Sequence, residues 1–187
     1  MSKPKITAYD ICSVSIFAAI ITIMSQISIP MPYGVPMTLQ TLAILLAGVV
    51  SGPKKGAIAT GIYIFLGAAG VPVFAGFNGG LGAVFGYTGG FIMSFPVIAL
   101  FAGLGALKAD KWSLWTGLVA GVVTNYTCGV VYYSLYTSNS LAVSFVTCVL
   151  IFIPMDAAKV IFVGVFGKKI RSMLIKAKVS FCRRKAR

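Results

Sequence analysis

Two ionisable side chains stand where such groups are costly. Asp156 and Lys159 lie inside the last long apolar run, in Ile153-Pro154-Met155-Asp156-Ala157-Ala158-Lys159, and a separation of three puts both on one helix face. Each charge costs several kcal/mol in hydrocarbon unless it has a partner. An acid and a base kept at depth therefore mark a functional site, or else a self-neutralising pair that glues a bundle. Pro154 is expected to open the local backbone and free a carbonyl, or simply to kink the helix. The remaining acids are Asp10 and Asp110, with no Glu and no His in the sequence. That inventory excludes a Ser-His-Asp triad, a histidine general base and an HExxH zinc site, and no GxxxxGK[ST] loop is present to bind ATP. Cys12, Cys128, Cys148 and Cys182 lack CxxC spacing and suggest neither a disulfide framework nor a metal cluster.

A second group with chemical potential falls in residues 72–90. Seven glycines (Gly76, Gly79, Gly80, Gly82, Gly86, Gly89 and Gly90) argue against a plain lipid-facing helix. Phe74, Phe77 and Asn78 put aromatic walls beside one amide, and glycine lets backbone N–H and C=O groups come close to a ligand. No Lys or Arg lies there to hold a phosphate. Residues 30–36 carry Pro30, Pro32 and Pro36 and form a stiff loop able to cap a cavity.

These residues must be positioned by membrane-spanning helices. Of 187 residues, 58% are hydrophobic and 10% charged, too few charges to wet the surface of a soluble domain. The reading is an all-α integral membrane protein, a compact bundle of six transmembrane helices forming one membrane domain over 1–187. The spans fall at about 11–29, 36–52, 56–72, 88–107, 114–136 and 141–167, followed by a basic tail at 168–187. The second and third are short for a ~30 Å core and need tilt or flanking residues. The first run follows Lys3 and Lys5 but is long for a signal peptide and lacks an Ala-x-Ala site, so it counts as a span.

The basic residues set the orientation. Lys3 and Lys5, Lys54 and Lys55, Lys108 and Lys111, and nine in the tail make fifteen of the sixteen, while loops 30–36, 72–88 and 137–140 hold none. With six spans all fifteen share one side, which the positive-inside rule makes cytoplasmic together with both termini. A net charge of +13 distributed this way meets anionic lipid and not nucleic acid. In the first span, Ser15/Ala19 and Ala18/Thr22 are small residues four apart, a helix-packing face for an internal neighbour or another subunit.

Read together, several blocks resemble the BioY family. They are Val35-Pro36-Met37-Thr38-Leu39-Gln40-Thr41-Leu42-Ala43, Gly52-Pro53-Lys54-Lys55-Gly56, Gly70-Val71-Pro72-Val73-Phe74-Ala75-Gly76 with Gly79-Gly80, Thr88-Gly89-Gly90-Phe91, and Pro154-x-Asp156-x-x-Lys159. The resemblance runs from about residue 10 to 170. It departs in the fifth span, where Tyr132 or Tyr133 stands in place of an expected Trp and Asn125 has no assigned role.

The resemblance implies a six-helix substrate-binding S component of an energy-coupling factor importer. Such a subunit captures biotin from the extracellular side of a prokaryotic plasma membrane. A transmembrane T component and a pair of cytoplasmic ATPases drive uptake, so this chain would need no cofactor and ATP would be used by its partners alone. By carry-over, Ser15, Ala18, Ala19 and Thr22 would meet the T component. Biotin offers two ureido N–H donors, a ureido carbonyl, an apolar thiophane ring and a carboxylate. Asp156 would accept a ureido N–H and Asn78 would donate to the ureido carbonyl. Lys159 would hold Asp156 ionised or meet the biotin carboxylate. Phe74, Phe77 and Tyr87 would wall the ring, with Gln40 as polar lining. Alternatives are another small vitamin, uptake without an ATPase, a membrane-embedded enzyme built on Asp156 and Lys159, and a purely structural protein.

Overall fold

The computed structural model describes residues 7–31, 34–108 and 110–176, with Lys111 described by its backbone alone. Lys3, Lys5, Pro32 and the tail beyond Lys176 lie outside the described residues.

The chain opens with helix α1 (Ala8–Gln26), started by a capping box in which the Thr7 side chain accepts from the Asp10 N–H while Asp10 accepts from Thr7 N–H. A proline-bounded hairpin follows, with β1 (Ser28–Ile29) paired antiparallel to β2 (Met37–Thr38). Helices α2 (Gln40–Ser51) and α3 (Pro53–Ala68) are joined at Gly52, with Pro53 in the first turn of α3, where its missing N–H costs nothing. A 3-10 turn (Ala75–Phe77) and the short α4 (Leu81–Val84) lead to α5 (Gly89–Leu107) and α6 (Lys111–Thr137).

The last expected span is not one helix. It is α7 (Leu141–Phe145), a π-helical turn (Val146–Leu150) and α8 (Ile153–Lys176), bent by 51° at the break. Other boundaries also differ from expectation, with α1 ending at Gln26 and α3 running Pro53–Ala68. The second span loses its first residues to the hairpin. The basic tail expected from residue 168 is helical to Lys176, because Lys168 Nζ donates to the Lys108 and Asp110 carbonyls and Arg171 to the Val49 and Ala106 carbonyls. These side chains cap carbonyls left open at or just past the ends of α2 and α5.

Among the described residues α1, α5 and α6 are long and apolar enough to cross a bilayer, and the bent pair α7–α8 makes a fourth. At 12 and 16 residues, α2 and α3 are shorter. Helix α5 is central and packs on α2, α3 and α6. Ile44, Leu45, Ile98, Ala99, Ala102 and Leu118 fill the core with essentially no exposure. Glycine permits the closest approaches. A Cβ on Gly48 of α2 would lie 2.2 Å from the Ala99 carbonyl of α5, and one on Gly117 of α6 would lie 2.6 Å from the Phe101 carbonyl of α5. Outward faces carry Ile16, Ile23, Phe65, Leu104, Leu135 and Phe162, all well exposed, which is the surface hydrocarbon requires.

Candidate functional site

A cavity of about 250 Å³ opens at the end of the bundle formed by the hairpin, the 74–78 loop, the start of α5 and the break before α8. The broken last helix places its deepest polar groups. Asp156 falls in the first turn of α8 and Lys159 one turn further, both 6% exposed. Lys159 Nζ donates to Asp156 Oδ1 at 2.6 Å, to the Thr38 carbonyl at 2.6 Å and to Thr41 Oγ1 at 2.9 Å, which uses all three ammonium protons. Thr41 Oγ1 in turn donates to Asp156 Oδ1 at 3.3 Å, and the Tyr126 hydroxyl donates to Asp156 Oδ2 at 2.6 Å. A carboxylate has about four lone-pair sites. Three are taken, and the open one is on Oδ2 of a residue that lines the cavity.

The pair is therefore internally satisfied yet able to accept one more hydrogen bond. Lys159 is not in the same position, since a ligand carboxylate could reach its Nζ only by displacing Thr38, Thr41 or Asp156. The expected alternative of a direct contact from Lys159 to such a group has no free proton to work with.

The other expected site residues distribute unevenly. Gln40, Phe74, Asn78 and Tyr87 line the cavity with Asp156 and Lys159. Phe74 is buried edge-on to Tyr63, with ring centroids 5.4 Å apart. Tyr87 stands half-exposed edge-on to Tyr136 at the mouth. Gln40 spends one amide proton on the Tyr63 hydroxyl at 2.7 Å. Asn78 donates to the Ala75 carbonyl at 2.9 Å and has one amide proton left.

Phe77 does not wall the cavity. Its backbone is left-handed (φ 57°) and its ring is 71% exposed, so the loop directs it away from the site. On α1, Ser15 and Ala19 are exposed and Thr22 half-buried, but Ala18 is 5% exposed. Ala18 therefore packs within the chain and is not available as an outward contact.

Several lining residues were given no site role by the sequence. Thr41, Tyr126 and Asn125 add polar groups, and Phe91, Phe95, Tyr136 and Phe152 add apolar walls. Tyr126 had no signal beyond its type, whereas Thr41 sits next to Gln40 in a block already singled out. Tyr132 and Tyr133 do not line the cavity. The Tyr132 hydroxyl donates to the Phe85 carbonyl and Tyr133 is buried. Asn125 is 3% exposed, and its Oδ1 lies 2.7 Å from Ser94 Oγ. Ser94 also lies 2.9 Å from the Phe91 carbonyl and has one proton to give.

Comparison with known proteins gives this arrangement relatives. The BioY family profile matches residues 1–176. The biotin transporter BioY of Thermotoga maritima is 35% identical over 163 residues, covering 84% of this chain and 93% of its own. The probable biotin transporter BioY of Pyrococcus horikoshii is 43% identical over 112 residues, covering 60% of this chain and 68% of its own. Among solved structures, the S component for biotin of an ECF-type ABC transporter superposes with a TM-score of 0.81 at 27% identity, over 90% of this chain and 95% of that one. These relatives are transport proteins and not enzymes. With the family profile matching almost from end to end and a solved S component sharing its fold, this helical membrane chain belongs to the BioY family.

Proposed function

We propose that this chain is the substrate-binding S component of an ECF-type importer and that it captures biotin from the extracellular side of the plasma membrane. The observation that carries the reading is the Asp156 carboxylate, which is buried, ionically paired, left with one vacant lone-pair site and part of the lining of a small-molecule cavity. That site asks for a donor. A ureido N–H supplies one, and a charged acceptor makes the bond worth about 1.5–3 kcal/mol net. The spare amide proton of Asn78 would take the ureido carbonyl, and Phe74 with Phe91 and Phe95 would cover the thiophane ring. Because Lys159 has no free proton, the biotin carboxylate would point outward, toward Gly34, Tyr87 and Thr88 at the mouth. The whole chain would form one membrane domain.

In this reading the six helical units α1, α2, α3, α5, α6 and α7–α8 all cross the membrane, with α2 and α3 lengthened by flanking loops. Both termini are cytoplasmic. Support comes from charge, since the end of the bundle opposite the cavity holds Lys55, Lys168 and Arg171 and the cavity loops hold no basic residue. A transmembrane T component would meet the outward face of α1 at Ser15, Ala19 and Thr22, and its ATPase partners would supply the energy. The chain itself would use no cofactor.

The test is binding of labelled biotin to detergent-purified protein, with uptake in cells that carry or lack an energising module. Saturable binding, with uptake that needs the module, is expected. Failure to retain biotin while another small molecule co-purifies would overturn the assignment of cargo.

A further inference from the structure

The loop that walls the cavity is not held by its own neighbours alone. We propose that Gln26, the last residue of α1, is a positioning residue. With Ser25 it fastens residues 73–77 to the end of α1 and thereby sets how long a ligand stays in the cavity. The inference rests on reading the cavity as the ligand site.

One side chain grips the loop at three backbone points. Gln26 Nε2 lies 3.1 Å from both the Val73 and Phe74 carbonyls, with Ser25 Oγ at 3.0 Å and the Thr22 carbonyl at 3.3 Å sharing its two protons, and Gln26 Oε1 accepts from the Phe77 N–H at 2.9 Å. Ser25 Oγ, fully buried, lies 2.6 Å from the same Val73 carbonyl. A third helix joins at that atom, because the Tyr63 hydroxyl reaches Val73 O at 3.2 Å and itself accepts from cavity-lining Gln40. The Val73 carbonyl is thus a hub to which α1, α2 and α3 are connected by buried hydrogen bonds.

The residue Gln26 restrains most directly is also a strained one. Phe77 holds a left-handed backbone that a large side chain rarely adopts, and such conformations persist where the surroundings over-determine them. Release of the Phe77 N–H would let the loop relax. The segment that would move carries Phe74, Ala75 and Asn78, all lining residues. Since α1 is one unbroken helix from Ala8, a displacement of that helix would also reach the cavity wall through these bonds.

The experiment uses the detergent-purified full chain with Gln26→Met, which keeps length and removes donor and acceptor, and Ser25→Ala, which removes one donor. Association and dissociation rates of biotin, the Tm, and hydrogen exchange of the 74–80 amides are measured. For Gln26→Met we expect dissociation roughly tenfold faster with association changed less than about twofold, since lost retention contacts fall on the off-rate. The Tm should stay within a few degrees and exchange should quicken at Phe77. For Ser25→Ala the off-rate should rise about threefold. Unchanged dissociation, or unchanged exchange at Phe77, in Gln26→Met would overturn the proposal. A fall in Tm with exchange raised along the whole chain would do the same, because it would make Gln26 merely structural. If the unsubstituted protein does not retain biotin, the cargo assignment fails, while exchange at Phe77 still decides whether the loop is held.

Discussion

Whether Asp156 and Lys159 bind a guest or merely hold helices together can be separated by removing them singly and together. Both are 6% exposed, and Nζ sits 2.6 Å from Oδ1. Asp156→Asn leaves Lys159 its Thr38 and Thr41 acceptors but no counter-charge, and Lys159→Met leaves a buried carboxylate with two hydroxyl donors. Stranding one member of a buried ion pair costs about 3–5 kcal/mol, which for a chain of this length lowers the Tm by roughly 10 °C. The double variant Asp156→Asn/Lys159→Met buries no charge, and the Tyr126 hydroxyl can still donate to the new amide oxygen. Its stability should therefore return to within about 1–2 kcal/mol of the parent. Biotin affinity should not return, because the charged acceptor is gone. A loss of about tenfold is expected, the difference between a charge-assisted bond and the neutral one that the amide oxygen can still accept. The assay is thermal unfolding in detergent followed by tryptophan fluorescence, with equilibrium binding of labelled biotin on the same samples. Trp115 of α6 is a suitable reporter because its ring lies against Gly164 of α8, on the helix that carries both charges. A double variant that binds biotin as tightly as the parent would refute the reasoning and leave the pair as glue. Single variants with an undiminished Tm would refute the premise that the charges depend on each other.

Further outcomes follow from the geometry. Tyr126→Phe removes the hydroxyl that orients Asp156 Oδ2 and should weaken biotin binding about tenfold by equilibrium dialysis, with less effect on the Tm than stranding either charge. Phe74→Ala opens a cavity beside Tyr63 and should cost about 3–5 kcal/mol in thermal unfolding together with most of the affinity. Phe77→Ala, outside the lining, should leave equilibrium affinity within about threefold. Gly48→Ala drives a Cβ into the Ala99 carbonyl and should collapse the yield of folded, monodisperse protein. Gly61→Ala, in open space on α3, should be neutral or stabilising by about 0.5–1 kcal/mol.

What the sequence disclosed and what it concealed divide along physical lines. The Asp156–Lys159 pair was legible because hydrocarbon makes any charge conspicuous, and the 72–90 stretch because glycine at that density departs from helix. Bends were harder. Pro154 flagged the sixth span, but the 51° break and the π-helical turn lie just before it, where Val146-Thr147-Cys148-Val149-Leu150 reads as an ordinary apolar helix. Only the packed structure reveals that this stretch turns aside. The packing faces were legible only in part. Small residues spaced by four drew attention to α1, while glycines such as Gly48, Gly103, Gly105 and Gly117 let α2, α3, α5 and α6 approach closely. Spacing identifies a smooth face without saying which neighbour covers it.

The missed polar residues share a different cause. Tyr126, Thr41, Asn125 and Gln26 are uncharged, so a single one inside an apolar run costs little enough to pass as filler, and the run remains hydrophobic. Each acquires a role only from a partner distant in sequence. Tyr126 meets Asp156 thirty residues away, Thr41 meets Lys159 across 118, and Gln26 meets the Phe77 N–H across 51. No periodicity records such pairings. This gives the charged pair a meaning beyond its own chemistry. Once Asp156 and Lys159 are known to be buried, their ammonium protons and carboxylate lone pairs must nearly all be satisfied, and two charges cannot satisfy each other completely. Counting their unmet bonds therefore demands hydroxyl and carbonyl partners from other helices. In this chain those partners are Thr38, Thr41 and Tyr126, and the one bond they leave unmade on Asp156 is the place proposed for a ligand's donor.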